Sequence, residues 1–127
     1  MSGSSEFSWA ARRRSFVYAW RGVCTVLRSQ HNAWLHAAAT LGVVLLGALL
    51  GVGRWEWLAL IFAVVSVWTA ESLNTAFELL CDVASPEFHP LVEKAKDVAA
   101  GAVLISALGA LLVGGVVFGP HLWQALQ

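Results

Sequence analysis

Polar residues divide this chain into one amphipathic stretch followed by three long apolar blocks. From Ala10 to Ser29, Phe16, Ala19, Trp20, Val23 and Leu27 fall within an arc of roughly 100° at 3.6 residues per turn, and Arg14, Arg21 and Arg28 fall opposite them. A helix with arginines on one face and Phe, Trp and Leu on the other is expected to lie in the plane of a membrane surface. Residues 33–53 carry no formal charge, and at helical rise they would cover about 31 Å, the thickness of the hydrocarbon layer. They are the first predicted span. Gly51 to Arg54 reads as a short turn, with Trp55 and Trp57 as interfacial anchors beside it. The second predicted span covers 57–83, apolar at first and acidic later, and Ser85-Pro86 should break it. The third covers 94–118, with Gly119-Pro120 closing it. Residues 1–9 open with small polar side chains and no periodicity, and are expected to be a disordered terminus before a single membrane-embedded domain over 10–127.

Composition supports this reading. Charged residues make up 13% of the chain, against about 25% in soluble proteins. None falls between Arg28 and Arg54 and none after Asp97. Such a distribution excludes an ordinary soluble core and a disordered chain. A net charge of zero gives no basic excess for nucleic acid. Cys24 and Cys81 have no CxxC spacing and read as small apolar fillers. Five Arg precede the first span and both Lys lie between the second and third, against a lone Arg54 in the first loop. The amino terminus and the second loop are therefore expected in the cytoplasm and the carboxyl terminus outside. Trp55, Trp57 and Trp123 would form an outer belt, and Trp9, Trp20 and Trp34 an inner one, with Trp68 between them. Ala102, Ser106, Ala110 and Gly114 repeat every fourth position, a ridge that lets another helix approach closely.

The chemistry is concentrated on the second span. Glu71, Asn74, Glu78 and Asp82 project within an arc of roughly 80°, one polar stripe on an apolar helix. Glu71 lies about 21 Å along the axis from Trp57, still at hydrocarbon depth. An ionisable group there costs roughly 2.5–3.5 kcal/mol and marks a functional site by default. At the start of the third span, Glu93 and Lys94 read as a solvated collar, whereas Lys96 and Asp97 adjoin the buried end, where Lys96 could hold a phosphate. With His89, these residues gather carboxylates, an amide, a lysine and an imidazole where cytosol meets lipid. Carboxylate oxygens suit Mg²⁺, which normally completes its shell with substrate phosphates, so phosphoryl transfer at the membrane is suggested. Neither GxxxxGK[ST] nor GxGxxG is present. His36 reads as a helix-packing histidine and His121 as an interfacial residue beyond the third helix. An ion-conducting oligomer would need polar groups through the full depth, yet residues 57–70 offer only Ser66 and Thr69 as hydroxyls. A small scaffold protein would not need a buried carboxylate stripe.

Four stretches carry a resemblance: Phe16 to Gly22 (FVYAWRG), His31-Asn32 with His36, Glu71 to Glu78 (ESLNTAFE) with Asp82, and Glu87-Phe-His-Pro with Ala95-Lys-Asp97 and Ala100 to Leu104. In these the chain resembles the prokaryotic diacylglycerol kinases and undecaprenol kinases over nearly its whole length beyond residue 15. The resemblance implies an all-α homotrimer of three-span subunits in the bacterial inner membrane, each with an amphipathic surface helix. It implies MgATP-dependent phosphorylation of a lipid hydroxyl, diacylglycerol to phosphatidic acid or alternatively undecaprenol to its phosphate, at sites shared between subunits. Carried over by position, Glu71 would be the general base, Asn74 would orient the reacting groups, and Asp97 would also belong to the catalytic set. Glu78 would be a metal ligand at the nucleotide site. Tyr18, Glu87, His89, Lys96 and Asp97 would line that site. Gln30 stands where the family pattern has a second metal-binding glutamate, so an amide carbonyl replaces a carboxylate there.

Overall fold

A computed structural model describes residues 7–29 and 31–127. Gln30, expected at the metal and nucleotide site, lies outside the described residues, as does most of the expected disordered terminus. Four helices follow in order: α1 (Trp9–Ser29), α2 (His31–Leu50), α3 (Arg54–Ala84) and α4 (Pro90–Ala125). Three of them, α2, α3 and α4, are long and apolar enough to cross a membrane. Trp9, expected in the irregular terminus, begins α1.

The α2–α3 turn is shorter than the sequence suggested, and its geometry explains why. Gly51 has φ 65°, a left-handed conformation that a Cβ disfavours. The Val52 amide donates to the Gly47 carbonyl at 3.2 Å, so α2 closes in a Schellman motif at Leu50 rather than running to residue 53. Val52 then turns inward and is buried with Leu60, Val117 and Phe118. α3 starts at once: the Gly53 amide donates to Glu56 Oε2 at 2.7 Å, the side-chain half of a capping box. Glu56 Oε2 also lies 3.0 Å from His121 Nε2. That contact ties the first turn of α3 to the end of α4.

Pro120 does not close α4, which continues to Ala125. Proline removes one backbone donor, and a membrane helix tolerates this when packing holds its axis. Here Val117 and Phe118 are buried against Leu60 just before the proline, and His121 meets Glu56 just after it. His121 is therefore part of α4 rather than beyond it. At the other end, α3 stops where Ser85 donates its amide to the Cys81 carbonyl at 2.8 Å, ahead of Pro86. Cys81 is buried and Cys24 half-buried, both as free thiols.

α3 and α4 form the main helix pair, and α1 and α2 pack beside α3. The buried positions of α3 include Leu60, Val67, Glu71, Asn74 and Cys81, a spacing that keeps one face toward its neighbours. Most large apolar side chains on the outer faces, such as Leu41, Leu45, Phe62, Ile105 and Leu112, stay exposed, as lipid-facing residues do. Trp57 departs from the anchoring role expected of it. It is half-buried and its ring lies against Gly47, where an added Cβ would come within 2.6 Å of Cη2. The other tryptophans of the two expected belts are exposed.

Gly47→Val should therefore destabilise the protein by about 1–3 kcal/mol through overpacking. Thermal unfolding in detergent micelles checks this. The shift should be largely reversed in Gly47→Val/Trp57→Leu, because the second change makes the space that the first one fills.

Candidate active site

The polar stripe of α3 is not uniform in three dimensions. Glu71 is 1% exposed and Asn74 is also buried, whereas Glu78 is half-buried and Asp82 is exposed. Periodicity puts all four on one side of α3, so the split follows position along the helix. Glu71 and Asn74 share the face that carries Leu60 and Val67 inward, and Asp82 lies where α3 leaves the packed region.

Glu71 faces α2, where Oε2 stands 3.3 Å from His36 Nε2. The approach is not aligned for a hydrogen bond, and both atoms are buried without another partner. Backbone and ring contacts fix the surroundings of this pair. Thr75 Oγ1 donates to the Glu71 carbonyl at 2.9 Å. Thr40 Oγ1 donates to the His36 carbonyl at 2.7 Å and accepts from Trp68 Nε1 at 2.9 Å. The Trp68 and His36 rings meet edge to face with centroids 6.2 Å apart. Trp68 is thus a polar link between α2 and α3.

Asn74 donates Nδ2–H to Glu78 Oε1 at 3.1 Å. Its Oδ1 is buried without a partner. Asn74 also lines a cavity of about 570 Å³ between α3 and α4, together with Ser66, Leu73, Phe77, Ala102 and Ser106. Ala102 and Ser106 belong to the small-residue ridge, and their size keeps the space open.

A second cavity, about 410 Å³, sits at the α3–α4 loop. It is lined by Asp82, Glu87, His89, Glu93 and Lys96, with Pro86 and Phe88 as apolar wall. Lys96 Nζ lies 2.6 Å from Asp82 Oδ1, closing its inner side. Three of the sequence-predicted nucleotide residues, Glu87, His89 and Lys96, are therefore brought together. Tyr18, Glu78 and Asp97 are not among them. Tyr18 is 61% exposed on α1, with the Arg21 guanidinium 5.9 Å from its ring centre. Asp97 is exposed on α4 and, among the described residues, makes no side-chain hydrogen bond. His89 has a structural task as well: Nδ1 accepts the Leu91 amide at 3.2 Å, capping α4 ahead of Pro90.

Among the described residues, no group of three or more His, Cys, Asp or Glu side chains could hold a metal. A Mg²⁺ site needs only one or two carboxylates when phosphates supply the rest. The oxygen donors of Glu78 and the unpartnered Asn74 Oδ1 fit that requirement.

Sequence reasoning misses the His36–Glu71 contact, although a signal exists. His36 lies about 21 Å from the end of α2, and Glu71 lies about 21 Å from Trp57, so an antiparallel hairpin brings them nearly level. It likewise misses Glu56 as a partner for His121, because the expected helix end at Phe118 removes His121 from α4.

A helical membrane protein with a buried carboxylate, an amide beside it and a polar cavity at one end is the class defined by these features. A family description, prokaryotic diacylglycerol kinase, matches residues 17–118. A protein named undecaprenol kinase from Bacillus subtilis (strain 168) is 37% identical over 109 residues, covering 86% of this chain and 89% of the relative. A protein named diacylglycerol kinase from Synechocystis sp. is also 37% identical over 109 residues, covering 85% of this chain and 62% of the relative. The diacylglycerol kinase of Escherichia coli (strain K12) is 29% identical over 104 residues, covering 82% and 85%. This chain belongs to the prokaryotic diacylglycerol kinase family and is a lipid kinase, a phosphotransferase.

Removing the α4 cap by His89→Ala should cost about 1 kcal/mol, while His89→Asn should keep most of the stability, because a short side chain can again accept the Leu91 amide. Denaturation midpoints of the three proteins in micelles measure the difference.

Proposed function

We propose that the protein transfers the γ-phosphoryl group of ATP to the hydroxyl of diacylglycerol, giving phosphatidic acid, at the cytoplasmic face of the bacterial inner membrane. The observation that carries this reading is Glu71, a carboxylate 1% exposed at hydrocarbon depth beside the buried amide of Asn74. A general base for a lipid hydroxyl has to stand where the lipid hydroxyl is. As the lipid oxygen bonds to Pγ, the Pγ–O bond to ADP breaks and the hydroxyl proton passes to Glu71. Asn74 orients the reacting groups, and Asp97 belongs to the same catalytic set. Lys96, Glu87 and His89 contact the nucleotide from the loop cavity, and Tyr18 of α1 belongs to the same nucleotide set.

Glu78, with Asn74 Oδ1 and Gln30, would hold Mg²⁺. When bound, the ion neutralises phosphate charge during transfer. The surroundings supply the rest of the proposal. α1 lies in the membrane surface, its arginines toward lipid headgroups. The amino terminus is cytoplasmic, following the excess of basic residues there. A homotrimer provides the walls that one set of three spans lacks, with a helix of another copy approaching the ridge from Ala102 to Gly114. Holding ATP above an alcohol already concentrated in the bilayer accounts for much of the rate.

A second reading, undecaprenol as the acceptor, is favoured by the Bacillus subtilis relative of that name, which aligns over 89% of its length. Assaying the purified protein with ATP in mixed micelles containing either alcohol separates the two. If neither alcohol is phosphorylated, the lipid kinase mechanism built on Glu71 is overturned.

Glu71→Gln should stay folded and lose about 10²–10⁴-fold in turnover with both alcohols, since an amide of equal size cannot accept the hydroxyl proton. Retention of most turnover at saturating ATP and lipid would make Glu71 structural. Gln30→Glu should lower the Mg²⁺ concentration that gives half-maximal rate, because it restores a charged oxygen ligand. Titrating Mg²⁺ at fixed ATP for both proteins gives the comparison, and an unchanged requirement would remove Gln30 from the metal site.

A further inference from the structure

The chain contains four histidines, and in the structure they do different work. His31 is exposed, His89 caps α4, and His121 bonds Glu56 at the opposite end of the bundle. His36 is set apart by where its ring nitrogen ends. Nε2 is buried, has no hydrogen-bond partner, and points at a buried carboxylate oxygen in the same condition 3.3 Å away. Two orphaned polar atoms facing each other across a helix interface are costly unless a proton lies between them. A histidine kept only for packing has no need to aim this nitrogen at Glu71. The ring is also held from behind, by the Trp68 edge and by the Trp68–Thr40 link to its own backbone.

We infer that His36 is a positioning residue for Glu71: its Nε2–H holds one carboxylate oxygen across the α2–α3 interface so that the other oxygen is presented to the substrate hydroxyl. The inference rests on the reading of Glu71 as the general base. Catalytic hydrogen bonds are often long and poorly aligned before substrate binds, and they tighten in the reacting complex. Here the separation is already 3.3 Å, and only the alignment has to change. His36 does not touch the nucleotide cavity, whose lining comes entirely from α3, α4 and their loop. Its loss should therefore appear in turnover and leave nucleotide binding alone.

The test compares three substitutions in the full-length protein, assayed in mixed micelles with ATP and the better of the two alcohols. His36→Leu fills the space and donates nothing. It should lower kcat by about 10–100-fold, less than or equal to the loss in Glu71→Gln, with KM for ATP unchanged. His36→Gln places an amide N–H near the position of Nε2 and should recover most of the turnover. His36→Asn has the same chemistry one methylene shorter and should not. Retention of kcat in His36→Leu, a raised KM for ATP with kcat intact, or equal losses in the Gln and Asn variants would each overturn the inference. Should His36→Leu fail to fold, the matched Gln and Asn pair decides on its own. If Glu71→Gln keeps its turnover, the general base is misassigned and this inference falls with it. If Glu71→Gln is inactive while His36→Leu remains active, only His36 is refuted.

Discussion

A carboxylate carried into a bilayer on an apolar helix has to be enclosed by protein. Glu71 cannot reach water, because its side chain is too short to extend to the interface and its helix continues for several turns on either side. Enclosure requires neighbouring helices at the same depth, and α2 brings His36 there. The cost of placing Glu71 there is not offset by a well-formed ion pair, since its approach to His36 is long and misaligned. What encloses the side chain is the packing of its neighbours.

Much of that packing is arranged far from Glu71, at the other end of the bundle. The left-handed Gly51, the buried Val52 and the Gly53–Glu56 cap fix where α2 ends and α3 begins. Close packing of Trp57 on Gly47 sets the distance between the two helices. These contacts fix the register of the hairpin, and register determines that His36 arrives level with Glu71. Glu56 and His121 extend the same clamp to α4. A slip of one residue would rotate α2 by about 100° and remove His36 from the interface.

Two cavities lie where α3 meets α4 and the loop between them. Small residues on α4 leave the cavity beside Asn74, while the loop after α3 forms a separate polar cavity closed by Lys96 and Asp82. One space is apolar with a few hydroxyls and the other is charged. That division matches the two substrates of a lipid kinase, an alcohol whose chains stay in the bilayer and a nucleotide that stays in water. Glu78 is bonded to Asn74, which lines the first of these spaces.

The sequence alone determined the helical class, the three apolar helices and the polar stripe on α3, because periodicity and charge-free length are local properties that the bilayer reads directly. It also carried the family, through a series of polar residues whose types and spacing persist along the chain. Helix ends were less legible. The Gly119-Pro120 pair is a strong local breaker, but the burial of Val117 and Phe118 and the contact of His121 with Glu56 hold α4 helical beyond it. Trp57 likewise had the right place for an interfacial anchor, and only the glycine on a neighbouring helix turned it inward. The division of the stripe into buried Glu71 and Asn74, half-buried Glu78 and exposed Asp82, and the pairing of Glu71 with His36, were decided by tertiary structure. Spacing within a helix says which residues share a face. Only the packing of other helices against that face says which of them lose water and what they meet instead.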